Sequence, residues 1–353
     1  MKRPIGSILL GLFLLSQLIL QGGRLWPALP AIGRTTPTTT AWTPLLPTAA
    51  RLALSLPGAL VLRGENGAVW RLSPVSSQRA DPVTVRSVSQ ELPGGLMIGV
   101  ELVHMDGGPR IVGVDGARAW ISPDGRAAAL YDSVDRAFWA ILASDVRPRP
   151  LGAVDPEAPS GLAWSARGDR LAYLSGRPGH LWAWRVGTYA QEIAGAYGRP
   201  LAVRPDGGMV LTTGKGDPAL YLPGVGVAVP VASGRVLSVS PDGRDALIGH
   251  DGHVFLTDLE AGRASLLPVV PGRVGGAIWG SDDSVAILNR GTPGRHGILL
   301  ATPDGGRRWL SPPSGASADQ TSLVAMAGGR LFCVFQREGV AVTYVRSVAA
   351  ARA

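Results

Sequence analysis

The chain has 353 residues, of which 46% are hydrophobic and 17% charged, with 48 Gly and 29 Pro. This composition excludes a largely disordered chain and is typical of many short buried strands joined by tight turns. The formal net charge of +8 comes from arginines that are scattered along the chain, and this distribution predicts no nucleic-acid partner. Cys333 is the single cysteine, so no disulfide can form within the chain.

Residues 1–32 are predicted to be a signal peptide or an N-terminal membrane anchor. Lys2 and Arg3 precede an uncharged stretch, 4–21, with the apolar run Ile8–Leu15 at its centre. A basic start followed by an apolar run is the pattern of an export signal. No Ala-x-Ala cleavage site follows, so removal and retention as an anchor both stay open. In both cases we expect a periplasmic or other extracytoplasmic location. If the segment is retained, it is the part of the chain that we expect to anchor the protein to a membrane.

Residues 33–48 are rich in Thr and Pro and are predicted to form an extended linker. The remaining range, 49–353, is predicted to be one β-propeller domain.

A turn motif recurs along this range. Its best copies are Ser122-Pro-Asp-Gly125 and Ser240-Pro-Asp-Gly243, with weaker copies at Ser165–Gly168, Arg204–Gly207 and Gly280–Asp283. The spacings are 43, 39, 36 and 40 residues. A period near 40 residues with turn chemistry in each repeat is typical of a β-propeller.

Each turn follows an apolar residue that we expect to stack against a neighbouring blade: Ile121, Trp164, Val203, Val239 or Trp279. Trp164 and Trp279 are expected to be largely buried. The third strand of each repeat also carries a large residue, and these lie at the odd offsets 15, 17, 17, 17, 15 and 19 from the start of the motif: Trp70, Trp139, Trp182, Tyr221, Phe255 and Leu299. Since side chains alternate with a period of two, this parity predicts that all six cover the same face of their blades.

The segments Ser122–Ala129 and Ser240–Leu247, together with Ile298–Gly306, resemble the WD40-like repeats of TolB-type β-propellers. The resemblance spans roughly Leu52 to Val348 and implies the propeller fold. The N-terminal domain that precedes the propeller in TolB is missing, so TolB's own partners are not implied.

We expect about seven four-stranded blades, with eight as the alternative. The 67 residues from Ser55 to Ser122 hold one blade with an insertion or two tight ones, and they include a hairpin-like stretch, Leu96–Val100. The last blade is expected to lack its outer strand, which a segment near Ala49–Ser55 would supply, removing an exposed edge.

Candidate chemical groups are few. Asp124, Asp206 and Asp242 are interpreted as turn formers, because one Asp per blade lies on a ring too wide to surround one ion. His250 and His253 flank Asp251-Gly252, a strong hairpin signal. His180 and His296, beside Gly-rich hairpin loops, are read as ordinary loop residues, and Cys333 as an inert buried thiol. Gly214-Lys215-Gly216 lacks the spacing of a phosphate-binding loop. The sequence therefore predicts no catalytic, cofactor-binding or metal-ligating residue, and no cofactor.

Two functions stay open at this point. The favoured one is an exported, non-enzymatic scaffold that binds another protein of the cell envelope. The alternative is a small propeller enzyme that acts on a carbohydrate or another small molecule at the central channel. The sequence names neither the protein partner nor a small-molecule ligand.

Overall fold

The computed structural model describes residues 41–348, except for 57–58, 73–79, 84–95, 99–100, 104–108, 112–117, 152–158, 176–178, 194, 196–197, 281–282, 291–296, 303 and 317–319. The predicted signal or anchor, 1–32, lies outside the described residues, as does the first half of the predicted linker. Regular structure in the described part is strand throughout, apart from one 3₁₀ turn at Pro271–Arg273.

The first three blades are antiparallel sheets of four strands consecutive in the chain. Blade 1 contains β2 (Ala50–Leu56), β3 (Ala59–Gly64), β4 (Val69–Leu72) and β5 (Asp81–Val83). A separate three-stranded sheet follows, formed by β6 (Leu96–Ile98), β7 (Glu101–Val103) and β8 (Pro109–Ile111). Blade 2 contains β9 (Arg118–Ile121), β10 (Ala127–Asp132), β11 (Ala137–Leu142) and β12 (Asp145–Pro150). Blade 3 contains β13 (Gly161–Trp164), β14 (Arg170–Ser175), β15 (His180–Arg185) and β16 (Gln191–Ile193).

The next three blades repeat this order. Blade 4 contains β17 (Pro200–Val203), β18 (Met209–Thr212), β19 (Pro218–Leu222) and β20 (Val227–Pro230). Blade 5 contains β21 (Arg235–Val239), β22 (Asp245–His250), β23 (His253–Asp258) and β24 (Arg263–Leu267). Blade 6 contains β25 (Val274–Trp279), β26 (Val285–Asn289), β27 (Gly297–Ala301) and β28 (Arg307–Leu310). Blade 7 contains β29 (Ser322–Ala327), β30 (Arg330–Arg337) and β31 (Val340–Ser347), and its fourth strand is β1 (Thr43–Leu46).

Apolar clusters between successive blades close these sheets into a ring. Each cluster joins side chains of two neighbouring blades, from blades 1 and 2 round to blades 7 and 1. This arrangement confirms the prediction of an all-β propeller with seven four-stranded blades.

The inserted sheet β6–β8 settles the ambiguity over blade number. Blade 1 packs directly on blade 2, because Ile121 of β9 joins the cluster of Leu54 and Val61. The backbone N–H of Ser55 also donates to the carbonyl of Pro123 at 3.2 Å. The three short strands therefore form an insertion between blades 1 and 2 and do not separate them.

The ring closes through β1, which pairs antiparallel with β31 in the register Thr43↔Val345. Thr343 strengthens this closure, because its hydroxyl donates to the carbonyl of Thr48 at 2.6 Å and accepts from the N–H of Ala50 at 3.0 Å. The prediction of a closing strand was right in kind but wrong in position. Ala50–Leu56 is instead the innermost strand of blade 1, and the closing strand lies in the range assigned to the linker.

The large residues lie on the predicted faces. Ile121, Trp164, Val203, Val239 and Trp279 each belong to a cluster with the preceding blade, as expected. The parity argument is confirmed too: of the six third-strand residues, Trp70, Trp182, Tyr221 and Leu299 pack toward the preceding blade. Phe255 lies opposite Ile248, which faces blade 4, and Trp139 packs with Ile121.

Trp164 and Trp279 are partly buried and pack against the clusters between blades 2 and 3 and between blades 5 and 6. Their indole N–H groups donate to the carbonyl of Trp120 at 3.0 Å and to the hydroxyl of Ser238 at 2.9 Å, both on the first strand of the preceding blade. First strands surround the channel of a propeller and stay partly exposed, and an indole that needs a polar partner there remains partly exposed as well.

Candidate functional site

Four of the repeated turns form a surface that we call the turn ring, residues 122–125, 165–168, 204–207 and 240–243. Each turn joins the first strand of its blade to the second, so equivalent turns meet at the same rim of the ring. Their contacts are close: a Cβ on Gly168 would lie 2.5 Å from Asp124 Oδ1, and one on Gly243 would lie 2.8 Å from Arg204 Cγ. Larger residues at these glycines would therefore push neighbouring blades apart.

Hydrogen bonds within the turns confirm that the aspartates build them. The Ser122 hydroxyl donates to Asp124 Oδ1 at 2.7 Å and accepts from the N–H of Ala127 at 2.9 Å. Ser240 donates to Asp242 in the same way at 2.6 Å. Asp206 accepts from the N–H of Gly208 at 2.8 Å. These carboxylates are engaged in local structure, and the turns carry them at separate points of the rim.

Arg204 links two blades at the turn ring. It stands where the best copies of the motif have Ser, and its guanidinium pairs with Glu260 of blade 5 and with Asp206 at 3.7 Å. Its side chain is only 15% exposed. The arginine is thus compensated by carboxylates and ties blade 4 to blade 5.

Among the acidic residues near the turn ring, Asp245 has the most strongly shifted pKa. It is 4% exposed and stands at a repeat position that holds Ala127 in blade 2 and Val285 in blade 6. Burial raises the pKa of Asp245 to about 6; the charges of Asp258, Asp283 and Asp242 raise it as well, while Arg244 opposes them. Asp258 lies directly across the strand pair. A carboxyl in this setting titrates near neutral pH.

The histidines of the described residues lie in two places. His250 and His253 face each other across the predicted hairpin, whose turn places Asp251 and Gly252 at φ of 47° and 76°. His180 is exposed and its Nδ1 lies 2.5 Å from Glu192 Oε1. His104 and His296 lie outside the described residues. Within the described part of the chain, no group of three or more His, Cys, Asp or Glu side chains could hold a metal ion.

Two further sequence interpretations are confirmed. Cys333 is fully buried in the cluster between blades 6 and 7, and burial raises the pKa of its thiol well above the ordinary value. Lys215 belongs to a tight hairpin loop, in which Gly216 N–H donates to the carbonyl of Thr213 at 2.9 Å.

The most distinctive surface of the described residues is the outer edge of blade 4, which sequence reasoning missed. Four large apolar side chains are exposed there: Leu222 by 38%, Val225 by 61%, Val227 by 55% and Val229 by 41%. Leu222 and Val227 are cross-strand partners, and β20 is the last strand of its sheet. We call this surface the apolar edge.

Charge distinguishes the apolar edge from five of the six other outer strands; the exception is β1, the outer strand of blade 7, which also carries no charged residue. The last strands of blades 1, 2, 3, 5 and 6 each carry a charged residue, for example Asp81, Arg149, Glu192, Arg263 and Arg307. The range 218–234 around β20 has none. Charged residues on an outer strand oppose pairing with another chain, so β20 lacks a protection that five of its six counterparts have. The uncharged run was the signal that could have located this surface from the sequence.

Comparison with known protein families and with characterised proteins found no match for this chain. Among the described residues, no helix is long and apolar enough to cross a membrane.

Proposed function

We propose that this chain is an exported β-propeller that acts as a non-enzymatic protein-binding scaffold in the cell envelope. The apolar edge carries the proposal: it exposes Val225, Val227 and Val229 beside an outer strand without charged residues. Contiguous exposed apolar side chains on a soluble fold mark interaction sites. A propeller alone would not decide the function, because the fold hosts many activities.

The proposed mode of binding is addition of a strand to β20. An outer strand presents backbone N–H and C=O groups to an incoming extended segment, while alternate side chains supply specificity. Val227 and Val229 point to one side of the strand and would contact apolar residues of the partner. The partner that fits is therefore an extended, uncharged and apolar segment of another envelope protein.

Sequence patterns support the rest of the proposal. The basic start and apolar run within residues 1–32 favour export, and an uncleaved run would anchor the propeller to a membrane. The repeats are proposed to be of the WD40-like, TolB type, on the strength of the Ser-Pro-Asp-Gly motifs. Their serine and aspartate bonds give a physical reason for the motif.

The binding surface is tested with Val227→Asp and Val229→Asp, each of which places a charge on the apolar edge. The matched control is Val134→Asp, at a residue that is 74% exposed on the hairpin loop of blade 2. We expect one envelope protein to be captured by the unchanged chain and by V134D, and at least tenfold less by the edge variants. Its extended segment, made as a peptide, should bind with the same ranking. Equal capture by all four chains would refute the assignment of this surface.

Self-association is measured in parallel by sedimentation. If the unchanged chain dimerises and V227D does not, the apolar edge takes a second copy and the proposed foreign partner is wrong. Export is tested by fusing residues 1–47 to a reporter that is active only outside the cytoplasm. Absence of reporter activity would remove the envelope location.

A further inference from the structure

Arginines that are far apart in the sequence lie at one end of the propeller channel. Each stands in the first strand of its blade or directly before it, and all are exposed: Arg51, Arg118, Arg199, Arg235 and Arg273. First strands of neighbouring blades contact each other from blade 3 round to blade 1, so they are the innermost strands and surround the channel. We call these five residues the arginine ring.

Strand register places the arginine ring at the end of the channel opposite the turn ring. Arg118 lies opposite Tyr131 near the end of β10, and the carbonyl of Arg199 accepts from the N–H of Thr212 at the end of β18, at 3.0 Å. Blades 1, 5 and 6 show the same arrangement at the ends of β3, β22 and β26. Since second strands begin at the repeated turns, the arginines meet at the other mouth of the channel.

Two close contacts hold arginine side chains against the first strands. A Cβ added to Gly161, in the first strand of blade 3, would lie 2.5 Å from Cγ of Arg199. The Arg199 side chain therefore extends over blade 3, whose first strand has no arginine. In blade 6, a Cβ added to Gly275 would lie 2.6 Å from Nε of the exposed Arg290. Arg290 thus brings a further guanidinium to this mouth.

Among the described residues, carboxylates compensate the arginine ring only in part. The seven first strands contain no Asp or Glu. Arg51 pairs with Glu65 at 3.3 Å, yet its side chain stays 70% exposed, and the other four arginines form no ion pair with a described residue. Asp217, on the hairpin of blade 4, accepts from the N–H of Gly234 at 2.7 Å. Exposed guanidinium groups around one opening create a positive potential that attracts anionic partners.

We propose that the arginine ring binds an extended acidic segment of another protein at this mouth of the channel. The arginines belong to different blades, so a small anion would reach few of them, whereas a segment with several carboxylates pairs with more. A guanidinium matches a carboxylate through two parallel hydrogen bonds. A nucleic-acid strand also needs aromatic faces on which bases stack, and the tryptophans of the first strands stand beside the repeated turns, toward the other mouth.

The test is fluorescence anisotropy of a synthetic peptide of alternating Glu and Gly, with a Gln and Gly peptide of the same length for comparison. We expect the full chain to bind only the Glu peptide, and Arg118→Glu or Arg235→Glu to weaken this binding at least about tenfold. The matched control is Arg167→Glu, on the exposed turn of blade 3 at the other mouth, which should bind as the unchanged chain does. Equal weakening by all three variants would reveal a general effect of net charge and overturn the site, as would no binding at all.

Salt dependence gives an independent readout. Added salt should weaken binding of the Glu peptide, and it should do so less steeply for Arg118→Gln, which removes one charge without reversing it. This difference tests the site even where a Glu variant does not fold, and equal steepness would contradict it. The arginine ring is separate from the apolar edge, so Val227→Asp should bind the Glu peptide as the unchanged chain does. Failure of one proposal is therefore distinguishable from failure of the other.

Two rival occupants are tested with the same variants. Tighter binding of single-stranded DNA than of the Glu peptide, lost in Arg118→Glu, would assign the arginine ring to nucleic acid instead. Asp155 and Glu157 lie between β12 and β13 in the sequence, outside the described residues. If the Glu peptide binds only to the double variant Asp155→Asn and Glu157→Gln, the chain's own carboxylates occupy the arginine ring and the proposal is wrong.

Discussion

Replacing Asp245 by Asn should remove a pH-dependent loss of stability. The carboxyl is 4% exposed and burial, with its acidic neighbours, raises its pKa from 3.8 to about 6 in the folded chain. The folded state therefore holds this proton more tightly than the unfolded state does. Stability from this group is fully present below about pH 4 and is lost as the pH rises through about 6.

The size of the effect follows from the pKa difference. At ~1.4 kcal/mol per pH unit, a rise from 3.8 to about 6 corresponds to about 3 kcal/mol. Asp245→Asn should thus be more stable than the unchanged chain by up to about 3 kcal/mol at pH 7.5 and nearly equal to it at pH 4.

Urea denaturation of both chains at half-unit steps from pH 4 to pH 8 measures this difference. Asp135→Asn, on the exposed hairpin loop between β10 and β11, makes the same change of charge and serves as the control. Its difference from the unchanged chain should not vary over this range. Parallel pH curves for Asp245→Asn and the unchanged chain would refute the reasoning.

Substitutions at three further residues test the packing. Tyr173 is fully buried and its hydroxyl has no hydrogen-bond partner among the described residues. Tyr173→Phe should therefore raise the free energy of unfolding by about 1 kcal/mol. A lower free energy of unfolding in urea denaturation would mean that the hydroxyl does have a hydrogen-bond partner. Trp279→Ala should lower the free energy of unfolding by about 3 kcal/mol. Trp279→Phe loses mainly the hydrogen bond to Ser238 and should lower it by about 1 kcal/mol. Equal losses for the two variants would contradict the packing role of Trp279. Leu46 is 2% exposed in the closing strand, so Leu46→Asp should lower the free energy of unfolding by at least about 3 kcal/mol and make β1 sensitive to limited proteolysis. Pro47 is exposed, and Pro47→Asp serves as the control that should remain resistant. Similar protease resistance of the two variants would contradict closure through Leu46.

The fold could be predicted because its signals are local and repeated. Turn chemistry such as Ser122–Gly125 acts within a few residues, and strand parity fixes the face of residues such as Trp182 whatever the loop lengths are. These two signals were enough to predict the propeller and the residues between its blades.

Other features depend on contacts that are distant in sequence. The closing strand was misplaced because a four-residue strand, Thr43–Leu46, is too short to show a pattern within a Thr/Pro-rich range. The exposure of Trp164 depends on a carbonyl acceptor, that of Trp120, in the preceding blade.

The ring cannot close until β31 has been synthesised, because β1 pairs with β31. Thr48 and Thr343, which bond at this seam, are 295 residues apart. A ribosome that adds about 5–20 residues per second needs roughly 15–60 s to cover that distance. During this interval the earlier blades can pack against each other, but β1 has no strand to pair with and the apolar side chain of Leu46 stays exposed to solvent. Access of chaperones to the unpaired β1 during this interval would then affect the yield of finished protein.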